Sequence, residues 1–196
     1  MDFMTITQPD RPQRRLLCRA LMLPLLAGVG LPARAAAEAA ASALERRVKA
    51  AFLYKFLGYA DFAAQSFANA TTPLSIGVVG ADDMAAELTR IAAGRMVAGR
   101  AITVRALREQ DLAQPLHVLF VAGQDDARAA RLLRAANALL TVTECDDGLQ
   151  TGSVINFTIV DERVRFDVSL DAAEKKNVKL SSRLLTVANR VQKGAS

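Results

Sequence analysis

The sequence predicts an α/β fold: a mixed, mostly parallel sheet flanked by helices, with a C-terminal β-hairpin and helix. Three observations carry that prediction. Short apolar runs alternate with helix-period segments through residues 44–142, the rhythm of strand–helix crossovers and of strands covered on both faces. Two period-two segments then flank Asp161-Glu162-Arg163, which is a hairpin pattern. Finally, 196 residues with 52% apolar and 23% charged content suit one globular domain that needs no metal or disulfide framework to fold.

Residues 1–37 read as a signal peptide. A positive n-region (Arg11, Arg14, Arg15) leads into an apolar stretch, Ala20 to Leu31, and a small-residue exit, Ala33-Arg34-Ala35-Ala36-Ala37, with cleavage expected after Ala35 or Ala37. As a helix the apolar stretch rises about 18 Å, short of a bilayer core of roughly 30 Å, so a permanent span is not expected. Arg14-Arg15 also permits twin-arginine export. The leader holds five arginines against Asp2 and Asp10, so three of the five net positive charges belong to it. Residues 38–196, predicted to form the single mature domain, keep only two, which weakens the nucleic-acid reading that a pI near 9.6 would invite. Cys145 is the only cysteine beyond the leader, leaving either a free thiol or a bridge between chains in an oxidising compartment.

The first helix places Leu44, Val48, Ala51, Phe52, Phe56 and Tyr59 at three- and four-residue spacings, an amphipathic pattern with an aromatic core face. Leu53 and Leu57 widen the apolar arc and hint at a second partner. After a loop from Asn69 to Pro73, Leu74–Gly80 reads as a doubly covered strand. Asp82 and Asp83 are placed to cap a helix carrying Met84, Leu88 and Ile91. Ile102-Thr103-Val104 and Val118–Val121 follow as strands, Asp125 and Asp126 open a helix through Ala138, and Leu139–Val142 is a fourth strand. Val154–Val160 and Val164–Val168 form the hairpin. Ser181 or Ser182 caps a last helix holding Leu184, Leu185, Val187, Ala188 and Val191.

Chemistry is scarce along the chain. Gly77-Val78-Val79-Gly80 lacks the three-glycine dinucleotide spacing, and Asp82 and Asp83 would compete with a pyrophosphate for the helix N-terminus. His117 is the only histidine, too few for a multi-histidine metal site, and is expected to be satisfied by backbone groups. No G-x-S-x-G elbow occurs, and the paired carboxylates Asp82/Asp83, Asp125/Asp126 and Asp146/Asp147 suit caps and turns. Arg128, Arg131 and Arg134 form a basic stripe that suits lipid headgroups or an acidic partner, though a solvated face accounts for it as well. No catalytic residue, cofactor site or metal site is predicted; the reading is binding rather than turnover.

Three blocks in register carry a resemblance: Val48-Lys49-Ala50-Ala51-Phe52-Leu53-Tyr54-Lys55-Phe56, Ser75-Ile76-Gly77-Val78-Val79-Gly80, and a C-terminal series. The last runs Gly152-Ser153-Val154-Ile155-Asn156-Phe157, Val164-Arg165-Phe166-Asp167-Val168 and Leu180-Ser181-Ser182-Arg183-Leu184-Leu185. From about residue 44 to 192 the chain resembles the YfiR family of small periplasmic proteins. The resemblance implies a homodimeric periplasmic repressor that binds a membrane diguanylate cyclase, or another membrane-bound sensor protein, and lowers cyclic di-GMP output, with consequences for biofilm formation. Asp61-Phe62 stands where many relatives have Trp-Pro, and Cys145 lacks the partner cysteines of the family's disulfides. Candidate partner contacts are Leu53 and Leu57 on the first helix and Phe157, Phe166 and Leu184 on the hairpin and last helix, with core packing as the competing reading. A different class of function is a periplasmic small-ligand sensing domain acting on a sensor histidine kinase, its ligand in a crevice at the carboxyl ends of the strands.

Overall fold

A computed structural model describes residues 30–194, with side chains from Arg34 onward. Most of the predicted signal peptide, Cys18 included, lies outside the described residues. The chain divides into two units, residues 1–40 and 41–196; of the first, residues 30–40 are described, as helix.

Among the described residues ten strands and five α-helices follow one another. They are α1 (Gly30–Leu57), β1 (Ala60–Phe62), β2 (Leu74–Val79), α2 (Asp82–Ala92), β3 (Met96–Val97), β4 (Arg100–Leu107), β5 (Leu116–Val121), α3 (Asp126–Ala135), β6 (Ala138–Thr143), β7 (Ile155–Val160), β8 (Arg163–Ser169), α4 (Leu170–Lys175), β9 (Val178–Leu180), α5 (Ser182–Val187) and β10 (Arg190–Gln192). The main sheet has eight strands in the order β10-β8-β7-β6-β5-β2-β4-β3. Neighbours are parallel except for β7 with β8 and β3 with β4, so the mostly parallel mixed sheet read from the sequence is what forms. β1 and β9 make a separate antiparallel pair.

Helices cover both faces, but unequally. One face of the sheet, with α1, α2, α4 and α5, builds the larger core around Phe56, Phe120, Phe157 and Phe166. The opposite face packs α3, through Ala129, Leu132 and Leu133, onto Leu119, Val121 and Cys145. Along the hairpin Ile155, Phe157 and Ile159 pair with Val168, Phe166 and Val164, and strand alternation puts all six on the face toward α1. There Phe52 and Phe56 meet Phe157 and Phe166 at centroid separations of 5.0–6.2 Å. Each such aromatic pair adds about 0.5–1.5 kcal/mol to the burial itself.

Several predicted boundaries move, each for a visible reason. Helix α1 ends at Leu57 rather than reaching Tyr59, because Gly58 and Tyr59 turn back onto the carbonyls of Lys55 and Phe56. The N-cap of α2 is Ala81, with Asp82 and Asp83 inside its first turn, where their charges meet the positive end of the helix dipole. Asp125 does cap α3, accepting from the Arg128 amide. That helix stops at Ala135 because Asn137 exchanges backbone bonds with Leu112 and Leu116 and so feeds β6. Ser181 caps α5. The helix ends before Val191: Asn189 donates its backbone N–H to Phe166 and its amide side chain to Asp167, and Arg190 pairs with Asp167 at 3.0 Å, drawing residues 190–192 onto β8 as an added strand.

Truncating the aromatic cluster tests this packing. Phe157→Ala is expected to cost about 3–5 kcal/mol and the exposed Arg165→Ala less than about 0.5 kcal/mol, read as unfolding free energies from urea titrations followed by circular dichroism.

Candidate functional site

The five apolar residues singled out as partner contacts are all internal: Leu53 is 0%, Leu57 2%, Phe157 2%, Phe166 2% and Leu184 1% exposed. Their expected exposure is therefore corrected. The buried positions of helix α1, Ala50, Leu53, Phe56 and Leu57, form one broad face in the larger core, so the wide apolar arc that suggested a second partner is spent on the chain's own core. Among the described residues the large apolar positions left outside are Leu44 on α1, Tyr59 just after it, Met96 on β3, Ile159 on β7, Val187 at the end of α5 and Val191 on β10. Ile159 continues the phenylalanine face outward past its register partner Val164, which packs in part against the larger core. Val191, beside Val168, brings the same face to the sheet edge.

Lys49, in the first of the blocks carrying the resemblance, is only 5% exposed. Its ammonium lies 2.5 Å from Glu45 and 2.6 Å from Glu144, and 5.9 Å from the ring centroid of Phe157. Glu144 also accepts the Gly123 amide at 2.8 Å, so one carboxylate joins α1, the end of β6 and the turn after β5. Without such compensation a buried ammonium would be strongly destabilising.

The crevice expected at the carboxyl ends of the strands falls between β2 and β5, where the strand order reverses. Arg128 occupies it. Its guanidinium donates to the Ala122 carbonyl at 2.8 Å, pairs with Glu109 at 2.7 Å, and lies within 3.3 Å of where a Cβ on Gly80 would stand. Glu109, held by that arginine, has its carboxyl lowered from the usual range. Of the predicted basic stripe, Arg128 and Arg131 are thus paired with Glu109. Two aspartates at each helix N-terminus complete a crevice already filled by the protein itself.

A cavity of about 400 Å³ opens instead at the amino ends of the strands, lined by Leu57, Asp61, Phe62, Phe67, Leu74 and Arg100 among others. Behind its wall His117 is clasped between Phe67, stacked at 4.4 Å, and the edge of Phe62 at 5.7 Å. Arg100 closes the stack from outside, 3.7 Å above the Phe67 ring, and holds the carbonyls of Asn69, Ala70 and Thr72. The His117 Nδ1 accepts the Ser75 amide at 3.1 Å and faces the Ser75 hydroxyl at 2.8 Å. Nδ1 is therefore the unprotonated nitrogen, and the proton sits on Nε2, which is buried without a partner. Burial first, and then Arg100, push the His117 pKa below its ordinary 6.5, the nearby Ser66 carbonyl opposing them. Backbone satisfaction, expected from the sequence, is half of the answer; the aromatic clasp is the other half, and no local pattern announced it.

Cys145 is 2% exposed. Burial, and then the Asp126 carboxylate, push its thiol up to about 12, so almost no thiolate forms near neutral pH. The sulfur is thus enclosed in this conformation, away from the surface where a bridge between chains would form. Around it Asn156 donates to the Cys145 carbonyl, Thr143 bonds Asn156 and Ser153, and Gly148 packs so close that any Cβ there would collide with Asn156 and Thr143. Among the described residues no group of three or more acidic, histidine or cysteine side chains is placed to hold a metal ion, and no helix is long and apolar enough to cross a membrane.

Comparison with known proteins gives one finding: the family model described as YfiR/HmsC-like matches residues 46–189, from the middle of α1 to the start of β10. No curated protein matches the chain.

Two measurements test these environments. The unfolded chain takes up a proton at His117 near 6.5 while the folded one resists it, so the stability due to this residue is complete above that pH and drains as pH falls below it. Urea midpoints should therefore drop between pH 7.5 and pH 5, and His117→Gln should flatten that difference. Cys145 should stay unlabelled by a thiol reagent in the folded protein and react once denaturant unfolds it, as mass spectrometry of the peptide would show.

Proposed function

The chain belongs to the YfiR/HmsC-like family, and on that premise we propose that it is an exported periplasmic regulator which binds and represses a membrane-bound diguanylate cyclase, lowering cyclic di-GMP output. The family match across residues 46–189 carries this reading, since it takes in the phenylalanine-locked helix and hairpin. Residues 1–37 serve as the export signal. The protein acts without catalysis of its own, as a homodimer, by binding one state of its target more tightly than the other. Reversing a hundredfold bias takes about 5.5 kcal/mol of such preference. Ile159 and Val191, the exposed apolar residues of the hairpin and of β10, are the contacts that supply it.

The cavity beside Phe67 and Arg100 favours a second reading, a small-ligand sensing domain that acts on a sensor histidine kinase. It predicts a rise in melting temperature with one member of a metabolite set.

Deleting the gene should raise cellular cyclic di-GMP, and crosslinking in the periplasm should recover a membrane cyclase with the processed protein. The double variant Ile159→Glu/Val191→Glu should reproduce the deletion while its unfolding midpoint stays within about 0.5 kcal/mol of the parent's. Unchanged cyclic di-GMP after deletion, or an unprocessed chain found in the cytosol, would sink the proposal.

A further inference from the structure

The far edge of the sheet carries a feature that the repressor reading does not use. From Thr89 to Arg108 the chain contains five arginines and no acidic residue, although residues 38–196 as a whole are nearly neutral. This segment builds β3 and β4. Beyond Ala101, no strand pairs with the outer side of β4 among the described residues: β3 covers Arg100 and Ala101, and β2 lies on the inner side. Ile102–Leu107 is therefore an open edge six residues long, with the N–H and C=O of alternate residues turned outward.

The side chains along this edge are suited to an incoming strand. Ile102 and Val104 join Ala92, Met96 and Ala101 in a groove of about 310 Å³ beside the end of α2, and Met96 is 63% exposed. Three of the arginines are engaged: Arg90 with Glu87, Arg108 with Asp111, and Arg100 with the loop carbonyls and the Phe67 ring. Arg105 is exposed on β4 with no ion-pair partner among the described residues. Arg95, on the groove wall, lies over the Tyr54 ring and has no carboxylate partner there.

We propose that the β4 edge receives an extended, acidic segment of a partner protein as an added strand. Its backbone pairs with Ile102–Leu107, its apolar side chains enter the groove over Ile102 and Val104 where Arg95 adds positive charge at the wall, and its alternate carboxylates meet Arg105 on the opposite face of β4. Main-chain bonds supply affinity and the alternate side chains supply selectivity, the usual division in strand addition. A second copy of this chain would set arginine against arginine across the pair. An anionic lipid surface offers charge but no donors and acceptors in strand register. The proposal goes beyond the repressor reading and stands whichever membrane protein is the target.

The test is fluorescence anisotropy with a labelled peptide of about nine residues alternating Glu and Val, compared with a Lys–Val peptide and with phosphatidylglycerol vesicles. The Glu–Val peptide should bind, and hydrogen exchange should show new protection at residues 102–107. Affinity should fall at least about tenfold in Arg95→Glu/Arg105→Glu, and in high salt, through lost charge attraction. Arg105→Gln, a milder exposed change, should give an intermediate loss, and circular dichroism confirms that each variant folds. Equal binding of the Lys–Val peptide, preference for vesicles, protection outside β4, self-association through this edge, or an unchanged double variant would each overturn the proposal.

Discussion

The structure depends on one aromatic contact, the insertion of Phe52 and Phe56 of α1 against Phe157 and Phe166 of the hairpin. These residues lie about a hundred positions apart in the chain, and their meeting closes the larger core. Phe120, the innermost ring of the parallel strands, touches Phe157 at 6.1 Å, so the helix, the hairpin and the α/β portion share one cluster. Density of this kind leaves little freedom: α1 cannot shift along the sheet without opening voids, each costing stability in proportion to its volume.

Polar groups then fix the register that the rings leave free. Lys49 draws Glu45 and Glu144 together over the edge of Phe157, tying α1 to the carboxyl end of β6. Below it the Thr143, Ser153 and Asn156 network satisfies the loop that joins β6 to β7. That loop connects parallel strands without a crossover helix, so its backbone must bend inside the protein, and Gly148 is the residue whose missing side chain makes room. Interior polar groups of this sort cost little when every partner is present and a great deal when one is lost.

These choices also distribute the surfaces open to partners. Arg128 fills the crevice at the carboxyl ends of the strands, where an α/β sheet would ordinarily take a ligand. Phe62, Phe67, His117 and Arg100 are stacked beside the cavity at the amino ends. What remains outward is apolar at Ile159 beside the charged hairpin turn and at Val191 on β10, and basic along β4. Two sheet regions of opposite character, one apolar and one basic, are thereby left at the surface.

The sequence by itself determined the α/β class, the parallel strands of the centre, the hairpin, and the helix starts at Asp125-Asp126 and at Ser181-Ser182, because each is written in a local period or a single hydrogen bond between near neighbours; the structure selected Asp125 and Ser181 as the caps. It also carried the family, through blocks spaced along the whole domain. It could not say which apolar residues face out. Leu53, Phe157 and Leu184 obey the same periodicity whether they meet another protein or their own core, and only the packing of α1 and α5 onto the sheet decided that they are internal while Ile159 and Val191 are not. Cys145 and His117 were equally undecided until long-range contacts set their surroundings: a thiol's or an imidazole's protonation depends on what encloses it, and enclosure is a property of the fold.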